Sequence, residues 1–121
     1  MNDSELRQQI TASAKRFQLF ECVECAAAIR QFLITQNIPG KSISLSTGST
    51  KEPFCNIYHD RLEENISTNG RHEAIAVEIE GQELIFDNIH PGGISRVEWI
   101  SNLYCPIQDL GADFEITETE F

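Results

Sequence analysis

The apolar positions of this chain change period once. Leu6, Ile10, Ala14 and Phe17 recur every three or four residues, and Cys22, Cys25, Ala26, Ile29, Phe32 and Leu33 repeat the pattern, so the first third carries two helical stripes. Asn2 with Glu5 forms a capping box ahead of the first stripe, which predicts a helix over roughly residues 4–17. The second stripe begins at CVEC, Cys22 to Cys25, and is stopped by Asn37-Ile38-Pro39-Gly40. Both CVEC thiols therefore fall on the buried side of a helix, in its first turn.

Past Pro39-Gly40 the period drops to two. KSISLST sets Ile43 and Leu45 against serines, as a half-buried strand does. Residues 47–56, TGSTKEPFCN, are turn-rich and predict a surface loop bordering a substrate cleft. Ile57-Tyr58-His59 has the makings of a short strand, while DRLEENIST fits no single pattern. Asn69-Gly70 is a tight-turn signal, and the stretch from Arg71 to His90 then reads as a β-hairpin. After the loop His90-Pro91-Gly92-Gly93, Ser95 and Glu98 form a second capping box before Trp99, predicting a short helix over about residues 96–104 that Cys105-Pro106 ends. Residues 113–121 alternate apolar residues or Thr with Glu and predict either an edge strand or an acidic tail. Two helices followed mainly by strands give an α+β class, with N-terminal helices packed on an antiparallel sheet in one domain over residues 1–121.

The hairpin admits two registers. A two-residue turn at Glu80-Gly81 pairs Ile75 with Phe86 and puts Asp87 diagonal to His72 on one face; a bulged three-residue turn sets Asn88 directly opposite His72. Both faces carry apolar residues, so the pattern leaves the register open.

Charge removes several function classes. The net charge is -10 and the nine Lys and Arg are scattered without a run, which is no footprint for nucleic acid. The apolar runs are too broken for a membrane span, and the polar start MNDSELRQQ lacks a signal-peptide core, so the expectation is a cytoplasmic protein or one delivered into a target cell by a non-classical export system. Without a secretory signal, Cys22, Cys25, Cys55 and Cys105 are expected as reduced thiols.

Reduced thiols at a helix start have a use. A cysteine is a nucleophile as thiolate, which the positive end of a helix and a nearby imidazole both favour. Cys22 lies at the helix start and is the preferred nucleophile, with Cys25, one turn further in, as the alternative; His72 is the base, oriented by Asp87 or Asn88. The plainer reading is a pair of inert core cysteines, since free cysteine is commonly buried. Cys22, Cys25, Cys55 and His59 formally make a zinc set, but the thirty-residue gap argues against it and no metal or cofactor is expected. His90 reads as loop structure or a second imidazole near the cleft, and Trp99 as core.

FECVECAAAIRQFL, NGRHEAIAVEI, LIFDNIHPGG and the Trp-containing helix together resemble the bacterial papain-fold toxin domains, most closely the second family of that name, over roughly residues 15–105. The resemblance implies a papain-like fold and a papain-like cysteine hydrolase with the order Cys22, His72, Asp87. It implies a peptidase or a protein glutamine deamidase working through an acyl-thioester, with a protein substrate and an immunity protein as partners. The oxyanion-hole glutamine of papain has no counterpart at its spacing, Gln18 being the nearest. A non-catalytic papain-like domain that binds a protein partner is the reading of another kind.

Overall fold

The computed structural model describes residues 1–121. Helix α1 spans Asp3–Ala14, and the Asn2 side chain accepts from the Glu5 amide at 2.8 Å, the expected cap. It ends three residues short of expectation because the amides of Arg16 and Phe17 bond back only three residues, tightening the chain into a turn. Helix α2, Cys22–Thr35, follows and packs against α1.

Seven strands follow: β1 Lys41–Ser46, β2 Ile57–His59, β3 Glu64–Ser67, β4 Arg71–Ile79, β5 Gln82–Phe86, β6 Leu103–Tyr104 and β7 Glu115–Glu120. They form an antiparallel sheet in the order β5-β4-β1-β7 and a smaller antiparallel one in the order β3-β2-β6. The ambiguous DRLEENIST thus supplies β3, and the last residues are a strand rather than a tail. Helix α3, Arg96–Ser101, is capped by Ser95 but stops sooner than its pattern predicts. Asn102 folds its side chain onto the Glu98 carbonyl and gives its own carbonyl to Asp60, which releases Leu103 and Tyr104 to pair with β2. A 3-10 turn over Pro106–Leu110, unforeseen in the sequence, leads to β7.

Strand β4 is covered on both sides, which explains its nearly unbroken apolar run. Ile75, Val77 and Ile79 pack with Phe86 under the helices, against Leu6, Ile10, Cys25, Ile29 and Leu33. Ala74 and Ala76 face the other way, into a second core of Ile43, Leu45, Ile57, Ile66, Ile85 and Trp99. The sheet curls: Arg96 bonds Glu83 of β5 at 2.7 Å and Glu118 of β7 at 2.5 Å, strands at its opposite edges.

The hairpin takes the two-residue setting. Glu80 and Gly81 lie at φ 54° and 76°, Ile79 faces Gln82, and Ile75 faces Phe86. By strand alternation His72 shares the face of Ala74 and Ala76, and Asp87 shares that of Ile85. Both therefore point toward Trp99, while α2 lies on the other face. No helix is long and apolar enough to cross a membrane.

Candidate active site

The approach to α2 is a strained turn. Phe20 has φ 69°, a left-handed conformation that a bulky side chain seldom adopts, and its ring is exposed. Three bonds hold the turn, one of them from the Glu21 amide to the Gln18 carbonyl at 3.1 Å. The Glu21 carboxylate accepts from the Gln18 amide at 2.6 Å, and the Asn88 side chain donates to the Gln18 carbonyl at 2.8 Å, across seventy residues of sequence. No side chain caps α2, so its first amides keep the unpaired N–H groups that a helix start leaves. Cys22 is the first helical residue, 8 % exposed, with Val23 open to solvent beside it.

Cys25 sits one turn deeper and is a core residue, packed with Ile29 and the strand face. Burial, and then the charges of Asp87 and Cys22, push its thiol up to about 12. Such a thiol stays protonated at neutral pH. Cys22 is the member of the pair that meets the surface.

His72 and Asp87 are both buried, and the ring nitrogen Nε2 lies 2.8 Å from the carboxylate oxygen Oδ2. The same oxygen accepts from the indole N–H of Trp99 at 2.9 Å. The other oxygen, Oδ1, accepts from the backbone amides of Ile89 and His90, at 3.0 and 2.6 Å, and lies 3.1 Å from Nδ1 of His90. Burial alone would raise this carboxyl; the bonds from His72 and His90 outweigh it and hold Asp87 well below the usual carboxylate range. It is a charged group saturated by donors.

The His72 ring is not saturated. Its nitrogen Nδ1 is buried and has no hydrogen-bond partner. Burial disfavours the charged ring, but Asp87 and then the Cys22 thiol raise it from 6.5 to about 9. With Nε2 taken by Asp87, Nδ1 is the atom left to meet that thiol. The three residues read from the sequence therefore come together at one end of the sheet, where the two cores meet. Asn88 takes no part in orienting His72: it serves the Gln18 turn, and its own Oδ1 is buried without a partner.

Of two further partners of Asp87, Trp99 was hidden in the sequence and His90 takes the second of its two readings, an imidazole near the cleft. Trp99 carried a core signal, and its burial is complete, yet its N–H does polar work. His90 looked like loop structure because it precedes Pro91; the φ of 85° at Gly93 turns that loop back, with the Phe86 ring 2.8 Å from where a side chain would start. His59 lies 3.1 Å from His90, and so faces the Asp87 network instead of joining the CVEC cysteines. Gln18 contributes only backbone bonds here, and no hydrogen bond from its side chain reaches the thiol.

The model of the family described as papain fold toxin 2 matches residues 5–104. No curated protein and no solved structure matches the chain.

Proposed function

The chain belongs to the papain fold toxin 2 family, and from that premise we propose that it is a cysteine-dependent amide hydrolase acting on protein, with Cys22 as nucleophile, His72 as base and acid, and Asp87 as the residue that orients His72. One observation carries the reading. A buried carboxylate holds Nε2 of a buried imidazole at 2.8 Å and leaves Nδ1 without a partner, and the thiol of Cys22 at the start of α2 is among the groups that raise that ring.

The chemistry follows from that tautomer. Asp87 accepts the Nε2 proton, so Nδ1 is the ring atom that takes the thiol proton of Cys22, and with His72 raised to about 9 the ring holds that proton as imidazolium at neutral pH. The thiolate adds to the amide carbon, and the uncapped amides at the start of α2 donate to the oxygen as it becomes negative. The C–N bond then breaks as Nδ1 returns its proton to the departing ammonia or amine. Water attacks the acyl-thioester and gives a proton to Nδ1; the C–S bond breaks, the carboxylic acid leaves and the thiolate is restored. Asp87 stays ionised throughout, stabilising the imidazolium at each stage.

Phe20 and Val23 lie on either side of Cys22 in the chain and are exposed by 55 % and 58 %, an apolar margin for an extended polypeptide to lie on.

Alkylation by iodoacetamide tests the unit without a known substrate. Selective labelling of Cys22, slowed at least about tenfold in His72→Ala, is expected. Labelling at the rate of glutathione, with His72→Ala making no difference, would overturn the reading and leave a protein-binding domain. Mass spectrometry of a protein mixture treated with wild type and Cys22→Ala then separates backbone cleavage from glutamine deamidation.

A further inference from the structure

Asp87 has a second imidazole system behind it that the chemistry above does not use. The Leu62 amide lies 3.2 Å from Nδ1 of His59, Nε2 of His59 lies 3.1 Å from Nε2 of His90, and Nδ1 of His90 lies 3.1 Å from Oδ1 of Asp87. Both rings are buried, His59 at 1 % and His90 at 9 % exposure, and their planes are tilted by 37°. The line therefore runs from a backbone N–H in the loop after β2 to the carboxylate that holds His72.

Its proton positions are determined from both ends. A backbone N–H only donates, so Nδ1 of His59 is an acceptor and the proton of its neutral ring is on Nε2. That proton points at Nε2 of His90, which must then carry its own proton on Nδ1, aimed at Oδ1. A carboxylate only accepts, so the far end agrees. Reversing His59 would set two N–H groups against each other at Leu62; reversing His90 would do so at His59 and leave a bare nitrogen against the carboxylate. Burial and then the neighbouring His90 lower the pKa of His59, which keeps that ring neutral.

We propose that His90, fixed as its Nδ1–H tautomer by His59, is a positioning residue for the hydrolytic site: the pair anchors Oδ1 of Asp87 so that Oδ2 stays aimed at His72. The unit then runs through five side chains, His59, His90, Asp87, His72 and Cys22. The proposal rests on the reading of Cys22, His72 and Asp87 as a hydrolytic unit, but the tautomers are a property of the resting protein and can be read apart from any reaction.

The test uses the full chain labelled with 15N-histidine. Long-range proton–nitrogen correlations at neutral pH should show His90 protonated on Nδ1 and His59 on Nε2, with a downfield proton on Nε2 of His72. Asparagine places an N–H near the position of Nδ1, whereas glutamine places it nearer Nε2. His90→Asn should therefore keep the His72 proton downfield and the Cys22 alkylation rate within about threefold of wild type, while His90→Gln shifts that proton upfield and slows alkylation about tenfold. His59→Gln, which retains a donor toward His90, should behave as wild type, and His59→Leu as His90→Gln. An Nε2–H tautomer at His90 in the wild type, or equal His72 resonances in His90→Asn and His90→Gln, would overturn the proposal. If wild-type Cys22 reacts no faster than a free thiol, the hydrolase reading fails by itself, and the tautomers and the His72 resonance still decide the geometry of the line. A His59→Leu chain that fails to fold leaves the Asn and Gln pair to decide.

Discussion

The two sides of the His72 ring are built on opposite terms. On the Nε2 side, Asp87 receives five donors, from His72, Trp99, His90 and the amides of Ile89 and His90, all within 3.1 Å. On the Nδ1 side there is a bare nitrogen, an uncapped helix start, a left-handed phenylalanine and two exposed apolar side chains. One side spends its polar groups on each other, which fixes geometry; the other leaves them unspent, which is what a reaction with an incoming carbonyl requires. The difference shows that the same ring is held from behind and left without a hydrogen-bond partner in front.

The largest expected effect breaks the locked side. Asp87→Asn is nearly isosteric, but an amide offers one acceptor oxygen where the site needs two. Oδ2 faces the Trp99 indole, which can only donate, and Oδ1 faces two backbone amides, which can only donate. Whichever way the amide turns, its NH2 meets an N–H. Thermal or urea unfolding should show a loss of about 2–4 kcal/mol, from a buried donor left facing donors. Amide hydrolysis should fall by about a thousandfold or more, because His72 can then adopt the wrong tautomer. A variant that keeps wild-type stability would show that the donors around Asp87 do not depend on its charge.

A pH series is expected to act on both sides, with smaller effect. His72 is raised from 6.5 to about 9, so the stability that its charged ring contributes is complete below its ordinary value and is lost as pH rises through about 9. Asp87 is depressed, so its contribution is present above the ordinary carboxylate range and lost as pH falls below it. The melting temperature should thus hold a plateau from above the ordinary carboxylate range up to about 6.5 and decline from there through about 9. Hydrolysis should decline through about 9 as well, since Nδ1 then lacks the proton for the leaving amine. The Cys22 thiol is one of the groups that raise His72, so Cys22→Ala should move the basic limb of the stability curve to lower pH. An unmoved limb would mean that the thiol and the ring do not interact in solution.

The open side was more legible in the sequence than the locked one. CVEC at the head of an apolar stripe placed Cys22 on the first turn of α2, because helical periodicity and a clear stop signal are local properties. The capping boxes at Asn2 and Ser95 were readable for the same reason. His72 could be placed on a strand, but its partner could not be chosen, since β4 and β5 are apolar on both faces and the register rested on the Glu80-Gly81 turn. Beyond His72, and His90 as the second imidazole near the cleft, the surroundings of Asp87 were out of reach. Trp99 reaches Asp87 and His59 reaches His90 through tertiary packing of α3 and β2, and an indole or imidazole buried for its N–H has the same sequence signature as one buried for its bulk. Helix α3 and its pattern parted at Asn102 for a similar reason, the pairing of Leu103 and Tyr104 with a strand more than forty residues away.

The smallest expected effect, and the sharpest separation of the two sides, comes from Phe20→Gly. Phe20 is 55 % exposed, so removing its ring gives up little packing, and glycine adopts its φ of 69° without strain. The strain relieved, roughly 1 kcal/mol, is offset by the larger freedom that glycine has in the unfolded chain, so the melting temperature should change by no more than about 3 °C. Cys22 alkylation is a different matter. The turn from Gln18 to Glu21 is held by three hydrogen bonds and one restricted backbone conformation, and it fixes where α2 begins. Loosening it should slow labelling severalfold while the His72 Nε2 proton, on the locked side, keeps its resonance. A fall in stability with labelling unchanged would reverse the assignment: the phenylalanine would then serve the fold, and the readiness of the thiol would rest on the helix start and the bare nitrogen alone.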